Sequence, residues 1–162
     1  MRKAILVVTL AAATAAVGIS VAATASTTNK TEHFSFIDTS NTAQVFSAIA
    51  TGAFTGGGTY DSNGSGASTM HLFGGTIKLQ GHATEPPETN TNRTTCLVTE
   101  HSAGTYTLLG GTGIYKGISG SGKYAQSARQ VGPTPNGKCS FTSGNPVGSQ
   151  QVITASGPLS LP

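Results

Sequence analysis

The side chains in this sequence with the most chemical potential are six carboxylates, four histidines and two cysteines. A glycosidase pair would have to be drawn from Glu32, Asp38, Asp61, Glu85, Glu88 and Glu100. Glu85 and Glu88 flank Pro86-Pro87 on what reads as a loop, where charge serves solubility. Asp38 stands apart from the others. It follows Phe34 and Phe36 in period-two register, so on a strand all three point to one face. A carboxylate in that position, near the mouth of an apolar interior, can act as a general acid or base, which makes Asp38 the candidate catalytic residue. The competing reading is a turn cap within Asp38-Thr39-Ser40-Asn41, where the side chain accepts from nearby backbone amides.

The remaining chemistry is sparse. His33, His71, His82 and His101 form no short His-x-His or His-x-x-x-His pair, so no metal site is expected. Strict alternation places His82 with Thr76, Lys78 and Gln80, opposite Ile77 and Leu79, on an outward polar face. Serine is abundant but never sits in Gly-x-Ser-x-Gly, so no nucleophile elbow is visible. Gly122-Lys123 is followed by Tyr124 and another strand instead of Ser or Thr and a helix, which removes the phosphate-cradling loop. The βαβ context of a dinucleotide fingerprint is missing too, and no cofactor is expected.

Two cysteines, Cys96 and Cys139, read most simply as one disulfide if the chain leaves the cell. The first residues say that it does. Arg2 and Lys3 precede an apolar stretch from Ala4 to about Val21, and Ala23-Thr24-Ala25 offers a signal peptidase the small residues it accepts. Residues 1–25 are therefore expected to be a secretory signal peptide, 26–31 a flexible segment and 32–162 the folded domain. No Cys follows the apolar stretch, so a lipoprotein anchor lacks its acceptor, and the mature chain is expected to be extracellular with no membrane association. Once Arg2 and Lys3 leave, seven basic residues face six acidic ones, a net charge of +1. The seven are scattered rather than striped, which argues against nucleic acid as a partner.

The elements that must position these residues are strands. Charged residues make up only 9% of the chain, which disfavours both charge-driven disorder and a helical bundle. The mature 137 residues hold 21 Gly and 38 Ser plus Thr, yet apolar and β-branched runs recur between turn signals. Strands are expected at 33–38, 44–54, 69–73, 76–82, 95–101, 105–109, 123–129 and 150–156, about eight in all. Turns are expected at Gly74-Gly75 and Ser102-Ala103-Gly104, and surface loops pinned by the disulfide at 84–94 and 132–146. Such a chain forms an all-β domain, either a closed barrel or a β-sandwich. A closed barrel removes exposed edges, an advantage for a weakly charged exported protein.

A resemblance sharpens this. Gly110-Gly111-Thr112-Gly113-Ile114-Tyr115-Lys116-Gly117, continuing to Tyr124, resembles the Gly-Gly-Thr-Gly-aromatic-x-Gly segment of the allene oxide cyclase and dirigent barrel superfamily. Phe34 to Asp38 resembles that family's first strand, and Thr51 to Gly58 its Gly-rich second hairpin. Small exported members from actinobacteria look most similar. The likeness runs over roughly residues 32–160 and is specific only in 110–124. It implies an eight-stranded antiparallel barrel of calycin type with an apolar cavity, often in dimers or trimers. It also implies that an acid near Asp38 could assist closure of a reactive intermediate, as in dirigent-like proteins, or that the cavity could hold a substrate mainly by shape. Phe34, Phe36, Phe46, Phe54 and Tyr106 are the residues expected to bind a ligand, with Tyr115, Tyr124 and Arg129 as further candidates. The expected function is an exported barrel that binds a small hydrophobic molecule or serves as a structural module. The alternative is a cyclase or isomerase acting by confinement.

Overall fold

The computed structural model describes residues 30–39, 45–62, 67–141 and 145–161. The leader expected at 1–25 and the Ser40-Asn41 half of the Asp38 turn lie outside these. Among the described residues nine strands follow one another: β1 (Lys30–Asp38), β2 (Val45–Thr51), β3 (Gly56–Ser62), β4 (Ala67–Leu72), β5 (Gly75–Ala83), β6 (Glu88–Asn92), β7 (Leu97–Gly111), β8 (Ser119–Val131) and β9 (Gly148–Ser160).

The first strand shows how the sequence builds the fold. Glu32, Phe34, Phe36 and Asp38 are buried, while His33 and Ile37 between them face solvent. A period of two delivers alternate residues to one side of a pleated strand, so β1 has an inner and an outer face. The same rule buries Phe46, Ala48 and Ala50 on β2, Ser68, Met70 and Leu72 on β4, and Ile77 and Leu79 on β5. Lys78, Gln80 and His82 face outward as expected.

All neighbours pair antiparallel, in the order β5-β4-β3-β2-β1-β9-β8-β7-β6, and a further pairing of β5 with β7 closes eight of the strands into a barrel. That pairing decides for the barrel over the sandwich. Strand β6 lies outside the ring, paired only with the part of β7 that projects past it.

Four details depart from the sequence reading. First, Ser102-Ala103-Gly104 is not a turn, because β7 runs unbroken for 15 residues with β8 alongside from Leu97 to Leu108. Gly104 is needed for a different reason: a Cβ there would sit 2.6 Å from the Tyr124 ring and closer still to the His82 carbonyl. The glycine permits close approach and does not reverse the chain. Second, the loop expected at 84–94 contains β6, whose Glu-Thr-Asn-Thr-Asn sequence is exposed throughout and carries no apolar signal. Third, the run expected at 44–54 ends at Thr51, and Gly56–Ser62 forms a separate strand, β3. Fourth, Lys30 and Thr31, expected in a flexible segment, already belong to β1.

One end of the barrel is plugged. A 3₁₀ turn at Gly113–Tyr115 sends the Tyr115 ring inward to 5.1 Å from the Phe54 ring, and the Tyr115 hydroxyl donates to the Phe73 carbonyl at 3.2 Å. Leu72, Ile118 and Leu159 are buried at the same end. Before that turn, the β5–β7 register shifts between Lys78 and Leu79, leaving Leu109 as an extra residue beside Gly110 at φ 123°. This bulge ends the regular ladder and aims the chain across the barrel end, a conformation for which glycine is suited.

Candidate functional site

The other half of the barrel is hollow. A cavity of about 300 Å³ lies toward the end where β1 reaches Asp38 and β5 reaches Ala83. Its body is walled by Phe34, Phe36, Tyr60, Leu79, Tyr106 and Tyr124, with Ile153 and Ala155 completing the apolar surface. Ser62, Ser68, Gln126 and Gln151 supply the polar lining. The volume falls at the lower end of the range that small-molecule sites occupy.

The aromatic wall is ordered by ring contacts. Phe34 and Phe36 are nearly parallel with centroids 6.2 Å apart, and Phe36 stacks on Tyr60 at 4.2 Å. Tyr106 meets Phe34 edge-on at 6.1 Å with an interplanar angle of 82°. Offset stacking and edge contacts such as these are the preferred aromatic geometries. The Tyr60 hydroxyl donates to Ser68 Oγ at 3.0 Å, a buried bond that fixes both side chains at the cavity edge. Burial pushes the phenols of Tyr106 and Tyr124 above their ordinary value, and each is pushed further by a neighbour, Glu32 and Tyr60 respectively.

Three of the five expected ligand residues, Phe34, Phe36 and Tyr106, line the cavity. The other two do not. Phe46 is buried behind Tyr60, with ring centroids 5.6 Å apart, and supports the wall instead of forming it. Phe54 lies past the end of β2 in the plug, 6.3 Å from Phe34. Of the further candidates, Tyr124 lines the cavity, Tyr115 belongs to the plug and Arg129 is exposed. Asp38 is buried on the same inner face as Phe34 and Phe36, and it is engaged within the fold, but it is not part of the cavity lining.

The carboxylate that stands out physically is Glu32, which the sequence reading did not single out. It is 0% exposed and sits at the plugged end. Its Oε2 accepts from the Phe54 backbone N–H at 3.1 Å, whereas Oε1 is buried without a partner among the described residues. Burial raises its pKa above the ordinary value of 4.5, against the opposing pull of the Phe54 and Ala53 amides and of His33. Its charge in turn raises the pKa of Tyr115, after burial, the larger cause. The signal was present in the sequence: the period that aligns Asp38 with Phe34 and Phe36 aligns Glu32 with them equally.

Elsewhere, the chemistry is of the surface. His71 Nε2 lies 3.2 Å from Asp61 Oδ2, with both side chains about half exposed. Among the described residues, no three His, Cys, Asp or Glu side chains converge as metal ligands would. Cys96 and Cys139 are joined in a disulfide with Cα atoms 5.1 Å apart, so the loop after β8 is tied to the start of β7 outside the ring. No described helix is long and apolar enough to cross a membrane. Compared with protein-family models, curated proteins and solved structures, the chain gives no match.

Proposed function

We propose that this protein is exported and holds a small, largely apolar molecule in its barrel. The observation that carries this reading is the cavity of about 300 Å³ left between packed aromatic rings, beside a half of the barrel that is filled. A purely structural module gains nothing from an unfilled apolar space, because missing contacts cost stability. Export is supported by the leader-like residues 1–25 and by the disulfide, a bond that persists in oxidising compartments. The resemblance of residues 110–124 to the allene oxide cyclase and dirigent superfamily fits the same reading, since it implies an apolar barrel cavity. Binding is preferred over catalysis because, among the described residues, no Asp, Glu, His, Lys or Cys belongs to the cavity lining.

Native mass spectrometry of protein collected from the medium tests this directly. The expected result is a mature chain carrying a lipophilic adduct that organic extraction removes. Protein that is never adducted, and that binds no member of a panel of small aromatic and aliphatic probes, would remove the binding reading.

A further inference from the structure

The serines and glutamines of the cavity gather at one end of it, in two pairs. Ser62 on β3 and Ser68 on β4 are direct cross-strand partners. Gln126 on β8 faces Ile153, and Gln151 on β9 faces Ala128, so the two glutamines are diagonal neighbours two residues apart on the inner face. Such diagonal pairs lie about 7–8 Å apart, within reach of one bound group. Around the ring, β3 and β4 are four strands away from β8 and β9, so the serine pair and the glutamine pair stand on opposite sides of the barrel. Together with Ala83, all four sit toward the end opposite the plug, beyond the aromatic body of the cavity.

These residues offer hydrogen bonds without charge. Each glutamine presents both a donor and an acceptor. Ser68 already accepts from the Tyr60 hydroxyl, which leaves its own proton to donate. Among the described residues, no Lys, Arg or His lines the cavity to neutralise an anionic head, and no Asp or Glu lines it to receive a cation. Asp38, the acid at this end of β1, is engaged within the fold. Burying an ion without a counter-charge is costly, and attraction of a cation to the ring faces offsets only part of that cost, whereas a hydroxyl or carbonyl is accommodated once its hydrogen bond is met.

We infer that the ligand is uncharged, with an apolar, preferably aromatic, body on the Phe34, Phe36 and Tyr106 wall and one hydroxyl or carbonyl end held between Gln126, Gln151, Ser62 and Ser68. This rests on the reading of the cavity as a binding site and names the class of molecule that the site takes.

A matched probe series tests the inference: naphthalene, 2-naphthaleneethanol, 2-naphthoate and 2-naphthylmethylammonium, titrated into the whole exported protein by calorimetry or fluorescence. The alcohol is expected to bind about tenfold more tightly than naphthalene and than either ion, the scale of one satisfied buried hydrogen bond. The double variant Gln126→Leu/Gln151→Leu is expected to erase the tenfold ratio between the alcohol and naphthalene. Gln126→Lys, which places a cation at the rim, is expected to invert the order of alcohol and carboxylate and guards against the double variant failing to fold. If an ion binds as well as the alcohol, or the order survives both variants, the inference falls and the cavity reading stands. If none of the four probes binds, the inference falls, and the cavity reading falls with it only when the secreted protein also carries no adduct.

Discussion

At the scale of single residues, Glu32 carries the clearest consequence. Its carboxyl is fully buried, one oxygen has no partner among the described residues, and burial lifts its pKa in the folded state. A raised folded pKa means that the native state binds this proton more tightly than the unfolded chain does. The stabilisation is therefore complete below the unfolded chain's ordinary value of 4.5 and is lost as pH rises through the folded value. The ionisable groups beside it are His33, whose charge opposes the shift, and the phenols of Tyr106 and Tyr115. Glu32→Gln is expected to remove this part of the pH dependence and to be at least as stable as the parent near neutrality. Urea midpoints from pH 4 to 8 for both proteins check it; parallel curves would show that Glu32 does not hold its proton. A second expectation concerns Tyr60. Tyr60→Phe deletes a buried hydroxyl bonded to Ser68 while keeping the stacked ring, and should cost about 1 kcal/mol in unfolding free energy, measured by denaturant titration.

At the scale of elements, the alternation of apolar residues made β1, β2, β4 and β5 legible, because each hides one face and shows the other. Strands with no such contrast were missed. β6 alternates Thr and Asn and is exposed on every residue, and β3 opens with three glycines, so neither carries an apolar rhythm. Gly104 was misread for a related reason. A glycine marks a turn and a close contact with the same letter, and only the position of the Tyr124 ring distinguishes them. The distinction can be measured. Gly104→Ala is expected to destabilise by roughly 1–3 kcal/mol, since the new methyl meets the His82 carbonyl and the Tyr124 ring. Gly148→Ala, at the start of β9 with no atom within 4 Å of its would-be Cβ, should be neutral or slightly stabilising. Thermal unfolding of the two variants side by side reads the contrast; equal losses would mean that Gly104 is not a contact position.

At the scale of the whole molecule, what was hidden in the sequence is closure. Barrel and sandwich share the same strands, and the pairing of β5 with β7 that separates them spans residues too distant for any local pattern to report. The cavity was hidden for the same reason. Three of its aromatic walls were legible as inward residues, but the emptiness between them depends on how the eight ring strands stagger. The disulfide was legible from cysteine count and context, and its position predicts a separable effect. Cys96→Ala/Cys139→Ala should lower stability by up to about 4 kcal/mol, the chain entropy of a loop closed at a separation of 43 residues. Because the bridge lies outside the ring, probe affinity at the cavity should survive in the fraction that remains folded. A variant that keeps its stability but loses probe binding would contradict that separation.

The seam between β1 and β9 also governs when the cavity can exist. The first and last strands described run side by side from Lys30 opposite Leu159 to Asp38 opposite Gln151, and β9 alone brings Gln151, Ile153 and Ala155 to the wall. Until β9 has joined β1 and β8 the ring stays open, however complete the earlier hairpins. A chain shortened to stop before Gly148 should therefore emerge as an open, sticky sheet instead of a smaller vessel.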